Sequence, residues 1–372
     1  MRLLFFGTYD ASAHPRVAVL HDGLLERGCQ VRECNVPLGL STADRVGMLR
    51  NPSRLPLLAW RIARCWAGLV RGSRRYRRDG DWPDAVVVGY LGHFDVQLAR
   101  RLFPHVPLVL DHLIGASDTA TDRGVQGGLR QRLLRGLDDA ALGCADVVVV
   151  DTEEHRAALP TSARRRSVVV TVGAPHEWFV HDAGRPRRNG VLRAVFFGLF
   201  TPLQGAPVIG EALAALTEEP VEVTMVGSGQ DLAETRRLAA GNPHVRWLDW
   251  VPSAELPALV ADHDVCLGIF GTAAKATRVV PNKVFQGAAA GCAIVTSGTA
   301  PQRRVLGDAA LFVPPGDAAA LAGSLTLLAT DPDRLAGARA AARALALDSF
   351  TPARVAEPLH ERLRTVVPPE VP

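Results

Sequence analysis

Short apolar runs alternate with longer amphipathic stretches from one end of the chain to the other. The first run, residues 2–6, ends at Gly7; Val17, Leu20, Leu24 and Leu25 then recur at helical spacing over 16–27, and 31–36 reads as the next strand. Residues 85–88, 108–110, 147–150 and 168–172 extend the series, each separated from the next by a segment of helix length. Strands that are apolar at every position suit a parallel sheet covered by helices on both faces. The theme restarts at 194–197 and continues through 221–226, 245–248, 265–270, 293–296 and 311–313. Helices are predicted between these strands over 207–216, 231–240 and 254–261, and after them over 318–328, 332–347 and 353–366.

Two successive series of this kind predict an α/β protein built from two Rossmann-like domains facing across a cleft. The expected division is 1–180, 191–348 and a terminal helix, 349–372, returning to the first domain; the break in pattern over 173–179 and the polar stretch 181–190 mark the linker. Length agrees, since 372 residues with 48% hydrophobic content exceed what one ordinary core holds.

Charge and cysteine content narrow the classes. The net charge of +4 comes from 42 basic and 38 acidic residues, a near balance that argues against a nucleic-acid binder. Six scattered cysteines without a C-x-x-C pair point to reduced thiols rather than a disulfide framework or zinc site, and with no export signal the expected location is cytoplasmic. Residues 54–79 set Leu57, Leu58, Ile62, Trp66, Leu69 and Val70 against Arg61, Arg64, Arg71, Arg74, Arg75, Arg77 and Arg78, so this helix is either a covered face of the first domain or a peripheral membrane contact through 57–78.

The densest chemistry lies in 265–311. A strand runs into a loop bearing Lys275 and Arg278, and Pro281, Asn282 and Lys283 open a helix that ends at Gly291. Proline suits a first helical turn, whose free N–H groups and positive dipole end attract an anion. Three cations there fit a doubly charged group such as a diphosphate. Gly7 lies where a ligand can approach the first strand's end, but G-x-G-x-x-G is absent, so no dinucleotide cofactor is indicated. In the first domain His93, the 111–112 Asp-His pair and Asp118 all follow strands; Asp118 and Asp122 also suit helix capping. Asp262-His263-Asp264 has the spacing of a D-x-D metal motif but sits in an ordinary polar turn, so no metal site is expected.

Taken together, the two halves and the basic loop resemble the GT-B fold of glycosyltransferases, and glycosyltransferase family 4 in particular. Residues 173–179 resemble that family's interdomain segment, 198–205 its G-R-x-x-x-x-K-G phosphate loop, and 249–252 the turn against the nucleobase. Arg278 and Gln286 fall on its E-x7-E signature, replacing both glutamates, and Leu199 and Gln204 replace the Arg and Lys of the phosphate loop. The resemblance implies sugar transfer from a nucleotide-diphosphate donor to the hydroxyl of a small-molecule or glycan acceptor, retaining and metal-independent, with no cofactor. Donor binding is expected from Gly7, Lys275, Arg278, Asn282, Lys283 and Gln286, and contacts near the reacting centre from His93 and Asp118. Two alternatives stand beside it: an inactive relative that binds a sugar nucleotide or partner enzyme, and a membrane-surface transferase acting on a lipid-linked acceptor.

Overall fold

The structure is a computed structural model that describes residues 1–10, 14–40, 55–78, 82–90, 92–113, 128–179 and 190–367. The chain divides into two compact units, one comprising 1–171 with 352–372 and the other 172–351. Residues 173–179 therefore belong to the second unit rather than to a linker. Trp178 is buried there and stacks on Phe197 with ring centroids 5.7 Å apart.

The first unit carries strands β1 (Arg2–Gly7), β2 (Gln30–Asn35), β3 (Ala85–Val88), β4 (Leu108–Asp111), β5 (Val147–Val150) and β6 (Ser167–Val169). All pair in parallel, in the order β2-β1-β3-β4-β5-β6. Between them run α1 (Pro15–Glu26), α2 (Leu55–Arg78), α3 (Asp95–Leu102), α4 (Gly128–Cys144), α5 (Glu153–Ala158) and α6 (Thr161–Arg164). Side-chain alternation sorts the strands into two cores. Leu4, Phe6, Val86, Val88, Leu108 and Leu110 pack with Leu69 of α2, Val96 of α3 and Ala141 of α4. Leu3, Phe5, Val87, Val109 and Val149 point the other way, onto Val17, Leu20 and Leu24 of α1. Leu359 and Leu363, from the chain's last helix (Pro352–Val366), join that second core. Burial on both faces is what the uninterrupted apolar strands require.

The second unit has β7 (Leu192–Phe197), β8 (Val221–Val226), β9 (Val245–Leu248), β10 (Val265–Leu267), β11 (Ala293–Ser297) and β12 (Ala310–Val313), again all parallel. Its helices are α7 (Ala206–Ala214), α8 (Leu232–Leu238), α9 (Leu256–Ala261), α10 (Asn282–Ala289), α11 (Ala300–Leu306), α12 (Ala318–Thr330) and α13 (Pro332–Leu345); the last helix of the chain is α14. Strand order is β12-β11-β10-β7-β8-β9, the doubly wound Rossmann arrangement, so the direction of winding reverses between β7 and β10. Loops leaving the carboxyl ends of those two strands flank the place where open α/β sheets take ligands.

One strand is shorter than its apolar run predicts. β10 stops at Leu267 although the chain remains buried through Phe270. Beyond Gly268 the backbone leaves the ladder: Ile269 N donates to Thr296 Oγ1 at 3.2 Å, and Phe270 N to the Gln204 carbonyl at 2.9 Å. Hydrophobic patterning registers burial, and burial here continues after the sheet pairing has ended.

Candidate functional site

In the second unit the loop after β7 and the helix α10 after β10 meet at a lysine. α10 begins at Asn282 behind Pro281, which supplies no side-chain cap to the free N–H groups of the first turn. Lys283, in that turn, is 4% exposed, and its Nζ lies 2.6 Å from Gln204 Oε1 and 3.5 Å from the centre of the Phe196 ring. A methyl group built on Gly198 would stand 3.4 Å from the same nitrogen. The lysine on the helix thus reaches the 198–205 loop, which carries no basic residue of its own.

Local packing holds the loop there. Gly205 has φ +65°, and a Cβ on it would come within 2.3 Å of Gly271 N, so only glycine lets the loop lie against the chain leaving β10. The neighbouring backbone is fixed by buried Thr296, whose Oγ1 donates to Gln302 Oε1 at 2.6 Å, while Gln302 Nε2 donates to the Ser297 carbonyl at 2.9 Å.

Burial pushes the Lys283 ammonium down to about 7, and among the described residues no carboxylate pairs with it. An amide oxygen and an aromatic face stabilise a cation less than a counter-anion does. The amine therefore gains and loses its proton near pH 7, and an anion placed beside it would favour the charged form. Only two of the chain's 42 basic residues are lysines, and both, Lys275 and Lys283, fall in this segment.

The other predicted residues of the segment differ in setting. Gln286 is buried one turn further along α10, Asn282 is exposed, and Lys275 and Arg278 are half-buried. Arg278 Nε donates to the Ala274 carbonyl at 3.2 Å, so part of its fork closes its own loop. Asp262-His263-Asp264 is used by the fold. His263 contacts the Leu259 carbonyl at 2.8 Å and Thr224 Oγ1 at 2.9 Å, and Asp264 accepts from Arg193 N at 2.9 Å.

Gly7 and His93 belong to the first unit. A Cβ on Gly7 would meet Asp95 Oδ2 and Tyr9, each at 3.2 Å, so the unit's own packing accounts for that glycine. Asp95 is held in turn by Thr8 N and Oγ1, both at 2.8 Å, and by Trp66 Nε1 at 3.0 Å. His93 is buried, with Nε2 3.3 Å from Asp138 Oδ1 of α4 and its ring edge-on to His112 at 5.3 Å. Burial, reinforced by His93, lowers the His112 pKa to about 4, which keeps that imidazole neutral near pH 7. Asp118 and Asp122 lie outside the described residues.

Sequence reasoning missed several partners in both units. Gln204 counted only as a lost lysine, and Phe196 only as part of a strand; nothing in either residue type announces a lysine on a helix far along the chain. Asp138 sits on an amphipathic helix where an acid is unremarkable. Arg16, on the buried side of α1, pairs with Asp111 at 2.9 Å, and His155 pairs with Asp151. A charged residue on an apolar helix face was the available signal for Arg16.

Solved structures share this fold. A sucrose-phosphate synthase from Thermosynechococcus elongatus superposes with a TM-score of 0.70 at 15% identity, covering 98% of each chain. Anabaena HepE in complex with UDP gives 0.66 at 12% identity, over 98% of this chain and 99% of that one. An E. coli trehalose-6-phosphate structure bound with UDP-2-fluoro glucose gives 0.66 at 14% identity, over 99% and 100%. The architecture is accordingly the α/β two-domain GT-B fold. No curated protein matches the chain in sequence. Residues 192–331, which hold β7 through α12 and the whole lysine site, match the family model for Glycosyl transferases group 1.

Proposed function

We propose that the protein is a glycosyltransferase that moves a sugar from a nucleotide-diphosphate donor to an acceptor hydroxyl, with retention and without a metal. The observation that carries this reading is Lys283: a buried amine without a counter-anion among the described residues, held by Gln204 beside Gly198 at the switch point of a Rossmann sheet. The match to Glycosyl transferases group 1 covers that segment, and two of the structural neighbours hold UDP or UDP-2-fluoro glucose.

In the proposed reaction the bond from the anomeric carbon to the β-phosphate oxygen breaks, and its electron pair stays on the phosphate. The acceptor oxygen bonds to the anomeric carbon on the same face, and its proton passes to the departing phosphate. Charge develops on the leaving diphosphate, where the Lys283 ammonium and the free N–H groups of the first turn of α10 stabilise it. Lys275, Arg278 and Asn282 supply further donors to the phosphates and sugar. The Gln286 amide takes the ribose hydroxyls, accepting from one and donating to the other. The acceptor is taken by the first unit.

A second reading has one observation in its favour. Gln286 and Arg278 stand where the resembled family has carboxylates, so a donor-binding protein without turnover is the competing case. Incubation with a panel of nucleotide sugars and acceptors tests both. Product formation that Lys283→Met abolishes supports transfer, nucleotide binding without product supports the second reading, and absence of nucleotide binding overturns both.

A further inference from the structure

Helix α2 has 24 residues, seven of them arginine and none acidic. One side is anchored in the first unit's core through Leu69, Tyr76 and partly buried Trp66 and Val70. The other side is open. Leu57, Trp60, Arg64, Ala67, Arg71 and Arg74 are all exposed, and their spacing of three or four residues places them in a single stripe along the helix. Leu57 is 44% and Trp60 58% exposed, and the Arg64 guanidinium lies over the Trp60 ring at 5.8 Å.

An apolar end of Leu and Trp joined to an arginine row is the composition of a helix that lies in a headgroup layer. Trp sits at the boundary between water and acyl chains, and guanidinium groups meet lipid phosphates. A solvated surface helix needs no exposed Leu-Trp pair, and a protein interface of ordinary type would not gather unbalanced charge along one helix. None of the described helices is long and apolar enough to cross a membrane, so the contact is one of lying on the surface.

We propose that the Leu57-to-Arg74 stripe of α2 docks the protein on a bilayer surface rich in anionic lipid. The transferase reading is independent of this surface: neither the stripe nor its test involves the donor site.

Cosedimentation of the whole protein with phosphatidylcholine vesicles, with and without phosphatidylglycerol, is the test. Binding is expected only with the anionic lipid, weakening as salt is raised, with a blue shift of tryptophan emission that is smaller in Trp60→Phe. Replacing Arg64, Arg71 and Arg74 by Glu together should lower the partition coefficient on the order of a hundredfold or more, from about one fivefold step per cation removed. The corresponding Lys variants, which keep the charge, should still bind, and circular dichroism of each variant checks folding. Equal partitioning of a folded Glu variant, or no partitioning of the native chain into anionic vesicles at low salt, overturns the proposal. Capture of an acidic protein in place of vesicles overturns it too, because the stripe would then be a protein interface.

Discussion

The two units present charge at the carboxyl ends of their strands in opposite ways. In the first, three buried groups are set against a partner of potentially opposite charge, Arg16 against Asp111, His93 against Asp138 and His155 against Asp151, while Asp95 rests on the neutral donors of Thr8 and Trp66. In the second, Lys283 is likewise buried, yet rests on the Gln204 amide and the Phe196 ring. Both units are parallel six-stranded sheets flanked by helices, although their strand orders differ, so the general architecture does not explain the difference. A buried pair neutralises itself and serves the fold, whereas a buried charge left on neutral partners costs folding free energy that only a ligand of opposite sign recovers. The contrast assigns the first arrangement to stability and the second to binding.

Breaking the most deeply buried pair of the first unit should have the largest effect. Both side chains of Arg16–Asp111 are almost wholly buried, and burial pushes the Asp111 carboxyl above the usual carboxylate range despite the guanidinium beside it. Asp111→Ala leaves Arg16 charged and uncompensated, at an expected cost of about 3–5 kcal/mol in urea unfolding. Nucleotide affinity of the protein that remains folded should be unchanged. A loss below about 1 kcal/mol, the value of an exposed pair, would remove the structural reading of these charges.

The converse change in the second unit should leave folding intact and remove function. Lys283→Met keeps the volume of the side chain and deletes its charge, so the melting temperature should hold or rise. Initial rates of sugar transfer should fall about 10²–10³-fold, the usual consequence of deleting one group that stabilises developing charge. If stability collapses while the rate per folded molecule survives, the lysine is a core residue and the contrast between the units dissolves.

A smaller effect is expected one turn along α10. Gln286→Ala removes the proposed ribose contacts, and neutral hydrogen bonds of this kind contribute about 1–2 kcal/mol, so the nucleotide dissociation constant should rise roughly 5- to 30-fold. Titration calorimetry with a nucleoside diphosphate reads it. An unchanged constant would limit the donor site to the phosphates.

These expectations divide along the same line as what the sequence discloses. Strands β3 and β5, buried at every position, coincide with apolar runs read from the chain, because a buried parallel strand leaves a continuous signature whatever its neighbours. Lys283 is legible for a similar reason, since a proline, a cation and an amphipathic helix stand together in nine residues, 281–289. Its partners are not: Gln204 and Phe196 reach it only through the order in which β7 and β10 pair. Likewise Asp138 meets His93, 45 positions earlier in the chain, only once α4 covers the sheet. Local pattern records burial and helix starts, while the pairing of charges is a product of topology.

The finest test of the contrast is protonic. In the unfolded chain the Lys283 amine has its ordinary pKa near 10.5, and burial lowers it to about 7 in the folded protein. Between those values the unfolded state binds more protons than the folded one, so stability should rise with pH across that window and be flat below it. Lys283→Met should lose the rise. A bound diphosphate favours the ammonium and draws the pKa back up, so nucleotide binding above pH 7 should take up a fraction of a proton and weaken as pH climbs. Calorimetry at pH 8 in two buffers of different ionisation enthalpy measures the uptake. Because the chain has only two lysines, isotope-labelled lysine gives just two side-chain signals with which to follow the titration directly. Equal heats in the two buffers, with the Lys283 signal still titrating near 10.5, would mean that the amine is charged and satisfied without ligand, as the paired groups of the first unit are.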